Sequence, residues 1–213
     1  IHISSIGADN ESNSTYSKSK ALGEEKILQN FPNAYILRPS LIFGHEDRFF
    51  NRYASLATYN LFVPIIGKNT KVQPVYVDDV ALAVERILTG KISKGIFELG
   101  GPEILTFDEI IQKLLLVIRR KRLIFSIPFR LATLMAIAFE TINKATFGFT
   151  PIPFTQDNVL QLEVDNIVST QNKTFKDLNI KPQNVDTIIP LYLYSYRPHG
   201  QYNDITTSAK KSN

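Results

Sequence analysis

Tyr16 and Lys20 stand four residues apart in Tyr16-Ser17-Lys18-Ser19-Lys20. On a helix this spacing puts both side chains on one face. There an ammonium stabilises a phenolate and lowers a tyrosine pKa from about 10 toward the working pH, so such a tyrosine can pass a proton. Taken alone the pair suits equally a surface tyrosine with Lys20 bonded to Glu24, one turn further on. Two strand ends supply context. Ser5 closes the apolar run that opens the chain, and its hydroxyl is expected at the carboxyl edge of a parallel sheet, where α/β proteins bind ligands. The next strand ends in Arg38-Pro39-Ser40-Leu41-Ile42-Phe43-Gly44, where the proline frees a backbone carbonyl to face a ligand.

The elements that must position these residues are legible from pattern. Residues 1 to 5 read as a strand, 7 to 14 as a loop rich in Asn, Asp, Ser and Gly, and 15 to 29 as a helix capped by Ser14 or Thr15. Ala34 to Leu37 is a short apolar run of the buried parallel-strand type, which completes a βαβ unit. A helix over 46 to 59, a strand over 72 to 77, a helix over 80 to 88 with Asp78 and Asp79 as N-caps, and a strand over 96 to 99 follow. From Thr106, a cap for Ile110, Ile111, Leu114, Leu115 and Ile118 at helical spacing, the pattern turns helical or irregular, with no further strands expected and a short helix at 156 to 163. This gives an α/β fold, a partial Rossmann-type parallel sheet with a smaller, mostly helical C-terminal region. The division is 1–102, the C-terminal half of a dinucleotide-binding domain; 103–200, a helical substrate or partner region; and 201–213, a disordered polar tail.

Composition narrows the chemistry. With no Cys and only His2, His45 and His199, disulfides, thiolate catalysis and a His or Cys metal cluster are excluded, so no metal is expected. Twenty-four Lys and Arg against 20 Asp and Glu leave +4, too mild for a nucleic-acid binder. The compact run Arg119-Arg120-Lys121-Arg122 reads as a solvated helix end. No stretch reaches the roughly 20 apolar residues of a membrane span. Leu131 to Phe139 reads first as a buried helix and second as an interfacial one, leaving peripheral membrane contact open. Ile1-His2-Ile3-Ser4-Ser5 has no initiator Met and no signal-peptide pattern; it reads as starting within a strand, as expected of the C-terminal portion of a longer protein.

Ile3-Ser4-Ser5, Tyr16-x-x-x-Lys20 followed by Ala21-x-Gly23-Glu24, and Arg38-Pro39-Ser40-x-x-Phe43-Gly44 together resemble the second half of an extended or atypical short-chain dehydrogenase/reductase. The segments 46–52, 73–81, 97–102 and Asp157-Asn158-Val159, with the late Tyr196-Arg197-Pro198-x-Gly200-Gln201-Tyr202, resemble one branch: the nucleotide-binding accessory subunit of respiratory complex I, the alpha subcomplex subunit nine family, and its bacterial relatives. The resemblance implies Ser5, Tyr16 and Lys20 as the catalytic triad. Tyr16 would be the acid/base, Ser5 would orient the substrate oxygen and Lys20 would hold the nicotinamide ribose, with Pro39 and Ser40 in the loop that meets the nicotinamide. It also implies NADP(H) or NAD(H), expected to bind only in a complete chain, because the Gly-rich G-x-x-G-x-x-G turn for the pyrophosphate does not occur in this sequence. Gly100-Gly101 reads instead as a tight turn.

Three functions follow. The first is an NAD(P)-binding accessory protein serving the assembly or stability of complex I, or of its assembly intermediates. The second is an active nucleotide-sugar epimerase, dehydratase or reductase, in which Tyr16 exchanges a proton and the nicotinamide a hydride. The third is a truncated product with no function. The expected location is the bacterial cytoplasm at the inner face of the membrane, or the matrix side of the mitochondrial inner membrane.

Overall fold

The structure, a computed structural model, describes residues 1–198 and residue 200. The chain opens with strand β1 (His2–Ile3) and, after a loop, helix α1 (Thr15–Asn30), then strand β2 (Ile36–Pro39). The short strand β3 (Ile42–Phe43), helix α2 (Arg48–Tyr59) and strands β4 (Phe62–Ile66), β5 (Lys71–Val72) and β6 (Val75–Tyr76) follow. Helix α3 (Val77–Thr89), strands β7 (Ile96–Leu99) and β8 (Leu105–Thr106), helix α4 (Phe107–Val117), strand β9 (Leu123–Ile127) and helices α5 (Phe129–Ala145), α6 (Gln156–Leu162) and α7 (Val185–Ile188) complete the order, with three short 3-10 turns in the last quarter.

The main sheet has the order β1-β2-β7 and is parallel throughout, with Ile36 opposite His2 on one side and Ile96 on the other. Parallel strands covered on both faces are apolar without alternation, and Ile36, Leu37, Phe97 and Leu99 are fully buried here. One side of this sheet is covered by a core of Val80, Ala83 and Ile87 from α3 with Phe175, Leu178 and Ile180. A second core joins Phe43, Phe50 and Ala54 to Ile110, Ile111 and Leu114 of α4 and to Val185 and Leu193, so it draws on residues from both sides of Pro102.

Several expectations are corrected. The strand expected over 72 to 77 is two strands interrupted by Gln73-Pro74: β5 pairs antiparallel with β8, and β6 pairs parallel with β3, so neither joins the main sheet. A proline that cannot donate to a ladder splits the run. Helix α3 starts at Val77 with Tyr76 as N-cap and no side-chain cap, and Asp78 and Asp79 lie inside its first turn. Asp79 is buried and accepts the Gln183 amide at 2.7 Å, so tertiary structure uses it as an anchor.

Strands do continue past Thr106. β9 pairs in parallel with β4 over five residues, with Pro64 opposite Phe125. Pro64 and a half-exposed pattern hide this two-stranded sheet in the sequence, since proline argues for a strand only at an edge. In α5 only Ala132 and Ala136 are buried, while Leu131, Leu134 and Ile137 face outward, so it is not the wholly buried helix expected. The basic run is less solvated than expected: Arg120 Nε donates to the Tyr196 carbonyl at 2.9 Å and Arg122 Nε to that of Ala57 at 2.7 Å. The expected tail, residues 201–213, and His199 lie outside the described residues.

Candidate functional site

Helix α1 begins as its sequence requires. Ser14 is the N-cap, its hydroxyl accepting the Ser17 amide at 3.3 Å. The helix leaves Tyr16 and Lys20 on one face, with the Lys20 ammonium 5.6 Å from the Tyr16 ring centroid. Tyr16 is 41 % exposed. The alternative in which Lys20 pairs with Glu24 is overturned: Glu24 is buried and accepts Arg38 Nε at 2.8 Å and Nη2 at 2.6 Å. Lys20 therefore enters no ion pair among the described residues, and its charge stays beside the phenol. Ser5 lies just past β1 at the carboxyl edge of the parallel sheet, half-buried, with its hydroxyl donating to the Ile6 carbonyl at 3.1 Å.

Three supports fix this corner, and composition and spacing pointed to none of them. Arg38 on β2 bridges Glu24 on α1 and Glu98 on β7, the second contact at 3.7 Å. Glu98 also accepts the Ser169 amide at 2.6 Å and the Asn172 side-chain amide at 2.8 Å. The bidentate hydrogen bond to Glu24 holds the Arg38 pKa above its ordinary value, against the opposing effect of burial. Second, α1 has no acidic residue in its first turn, and Asp157 of α6 supplies one from afar. Its carboxylate accepts the Thr15 amide at 2.5 Å and the Tyr16 amide at 3.3 Å, satisfying orphan donors at the positive helix end. Third, Asn166 ties the strand ends together: its carboxamide accepts the Ser40 hydroxyl at 2.6 Å and donates to the Ile6 carbonyl at 3.3 Å. Asp157, Glu24 and Arg38 did fall inside the segments that carried the family resemblance; nothing in the sequence marked Asn166.

Pro39 and Ser40 sit at the carboxyl end of β2, but their polar groups are engaged within the protein. The Pro39 carbonyl accepts the Ile6 amide at 3.1 Å, and the Ser40 amide donates to Leu99 at 3.0 Å. The carbonyl expected to be free for a ligand is thus used to hold β1 against β2, because the chain after β1 continues alongside Pro39. Gly101 is needed for close approach rather than for a tight turn: a Cβ there would come within 2.0 Å of the Pro74 carbonyl oxygen, and the Gly101 amide donates to the Gln73 carbonyl at 3.2 Å.

A three-stranded parallel sheet with helices, carrying a Tyr-Lys helix at its carboxyl edge, defines an α/β protein of Rossmann-like fold. The RmlD substrate binding domain family matches residues 8–122, more than half of the chain, and the chain belongs to that family. Among curated proteins it is similar to the mitochondrial NADH dehydrogenase [ubiquinone] 1 alpha subcomplex subunit 9 of Arabidopsis thaliana, 34% identical over 215 residues, covering 99% of this chain and 54% of the plant protein. The chain spans about half the length of the curated relatives it matches. Among solved structures it is similar in fold to UDP-glucose 4-epimerase of Thermotoga maritima, with a TM-score of 0.61 and 16% identity over 90% of this chain and 60% of that one. UDP-glucuronic acid 4-epimerase of Bacillus cereus, solved with UDP-glucuronic acid and NAD, gives a TM-score of 0.52 and 18% identity over 76% of this chain and 59% of that one. The resemblance to extended short-chain reductases and to the complex I accessory family, set out from the sequence, is borne out.

Proposed function

We propose that this chain forms the nicotinamide-ribose side of an NAD(P)-binding, short-chain-reductase-like protein that serves respiratory NADH dehydrogenase as an accessory subunit. The observation that carries the reading is Lys20, left without an ion pair beside Tyr16 at the carboxyl edge of the parallel sheet while Arg38 takes Glu24. In this reading residues 1–102 belong to the dinucleotide-binding domain and 103–200 to the substrate or partner region.

The residues fit one part of the dinucleotide. Lys20 offers an ammonium to ribose hydroxyls, Tyr16 a phenol and Ser5 a hydroxyl, while Pro39 and Ser40, both buried, hold in place the end of β2. When bound, the nicotinamide supplies or accepts a hydride. For the pyrophosphate this sequence has no Gly-rich turn, and the first turn of α1 already holds Asp157. The assembly role rests on the 34% identity to the plant subunit, whose name places it in a mitochondrial NADH dehydrogenase. In this reading the protein works at the matrix side of the mitochondrial inner membrane or at the inner face of a bacterial membrane; the mitochondrial relative supports the first, and the outward leucines of α5 suit peripheral contact.

The test is Lys20→Ala in the whole natural protein, read by NADPH fluorescence titration. The lost charge-assisted hydrogen bond costs about 1 to 3 kcal/mol, a fall in affinity of roughly fivefold to 150-fold. Unfolding is expected to stay unchanged. Unaltered NADPH affinity would remove Lys20 from the site.

A further inference from the structure

Charge is distributed unevenly along this chain. Residues 48–77 and 110–139 together contain ten of the 24 Lys and Arg and none of the 20 Asp and Glu. The fold brings these two acid-free stretches side by side, because β4 comes from the first and β9 from the second. Lys68 and Lys113 draw partners from outside them, Asp108 for one and Glu103 and Asp186 for the other, whereas Lys121 and Arg122 enter no ion pair among the described residues. One face of the resulting two-stranded sheet is apolar and open. Phe62 is 57 % exposed and stands opposite Leu123, 66 % exposed; Phe125, 57 % exposed, stands opposite the exposed Pro64. Leu61 and Tyr59, also exposed, extend the patch where both strands begin. Lys121 and Arg122 border it there.

We infer that this β4–β9 face is a docking surface for a partner protein that presents an apolar ridge flanked by carboxylates. A contiguous exposed apolar patch marks an interaction site, and Lys121 and Arg122, which enter no ion pair among the described residues where both strands begin, set the sign of the complementary surface at that border. The border geometry favours a protein over a lipid surface. The Arg122 guanidinium is pinned, with Nε on the Ala57 carbonyl and Nη1 on that of Lys121, so its remaining donors have a set direction suited to a carboxylate held equally firmly. The aromatic and aliphatic pairs likewise lie in fixed cross-strand register. This deepens the accessory-subunit reading and rests on it for the partner's setting, but the surface chemistry stands on its own.

The test places a photo-crosslinking amino acid at Phe125 in the whole natural protein in its native membranes, followed by mass spectrometry of the crosslinked peptides. A single protein segment with apolar residues and at least one Asp or Glu within a few positions is expected. Lys121→Glu with Arg122→Glu is expected to lower crosslink yield about tenfold or more, and reversing the partner's acid to Lys to restore it. Crosslinks to lipid, to a second copy of this chain, or to a segment without acids would overturn the proposal. So would binding to phosphatidylglycerol vesicles that Phe125→Ser abolishes. Native-gel co-migration with NADH dehydrogenase separates the two readings. Co-migration unaffected by the double charge reversal refutes this surface alone; a crosslink to an acidic segment of some other protein, without co-migration, refutes the accessory role alone.

Discussion

The Glu24–Arg38–Glu98 cluster joins the helix that bears Tyr16 to two strands of the main sheet through one guanidinium. Glu24 and Glu98 are each about 5 % exposed, so removing the cation leaves carboxylates in a place where water cannot replace it. Arg38→Met is expected to cost about 3 to 5 kcal/mol in urea unfolding. Glu24→Leu combined with Arg38→Met is expected to recover part of that loss, because Glu98 keeps its bonds from Ser169 and Asn172. A double variant no more stable than Arg38→Met would mean that the cost arises from packing. At this scale the sequence was half legible. The Tyr16–Lys20 pair follows from helical spacing alone, whereas the fate of Glu24 depended on an arginine fourteen residues away, which local spacing does not rank against Lys20.

Among the elements, α1, α2, α4 and α6 lie within two residues of the bounds expected for them, and α1 and α4 start at the caps read from the sequence. Thr106 with Glu109 and Thr155 with Asn158 form complete capping boxes. Helix α3 departs from this pattern, and Asp79 explains how. Burial raises its pKa above the ordinary value, opposed by the hydrogen bond from the Gln183 amide. A carboxyl whose folded pKa is raised favours the folded state most when protonated. Its contribution is present below the unfolded pKa and lost as pH rises through the folded pKa. Asp79→Asn keeps an acceptor for Gln183 without the buried charge. The variant is therefore expected to gain stability over the natural chain as pH rises out of the acid range, with the gain vanishing near and below pH 3.8, in urea unfolding from acid to neutral pH. A difference independent of pH would refute this account. The β4–β9 pair was illegible at this scale because Pro64 and three exposed apolar side chains match no strand pattern; only the partner strand makes either segment regular.

At the scale of the whole molecule, the proposed function assigns this chain only the nicotinamide-ribose side of a dinucleotide site, and on that proposal these 213 residues alone are expected to bind NADPH more weakly than micromolar. Lys20 offers one charge-assisted hydrogen bond of about 1 to 3 kcal/mol, against the roughly 8 kcal/mol that micromolar affinity requires. Fluorescence titration of these 213 residues checks it; micromolar binding would refute the argument. The parallel βαβ order, the one-face pairing of Tyr16 with Lys20 and the family were determined by the sequence itself, since these rest on local periodicity, caps and contiguous motifs. Only the tertiary structure decided that Arg38 takes Glu24 from Lys20, that Asp157 closes the start of α1 and that Asn166 binds the strand ends. The same holds for the meeting of two acid-free stretches on one open face. Each joins residues far apart in the chain, and no local pattern records which of many polar groups will become neighbours once the apolar ones are buried.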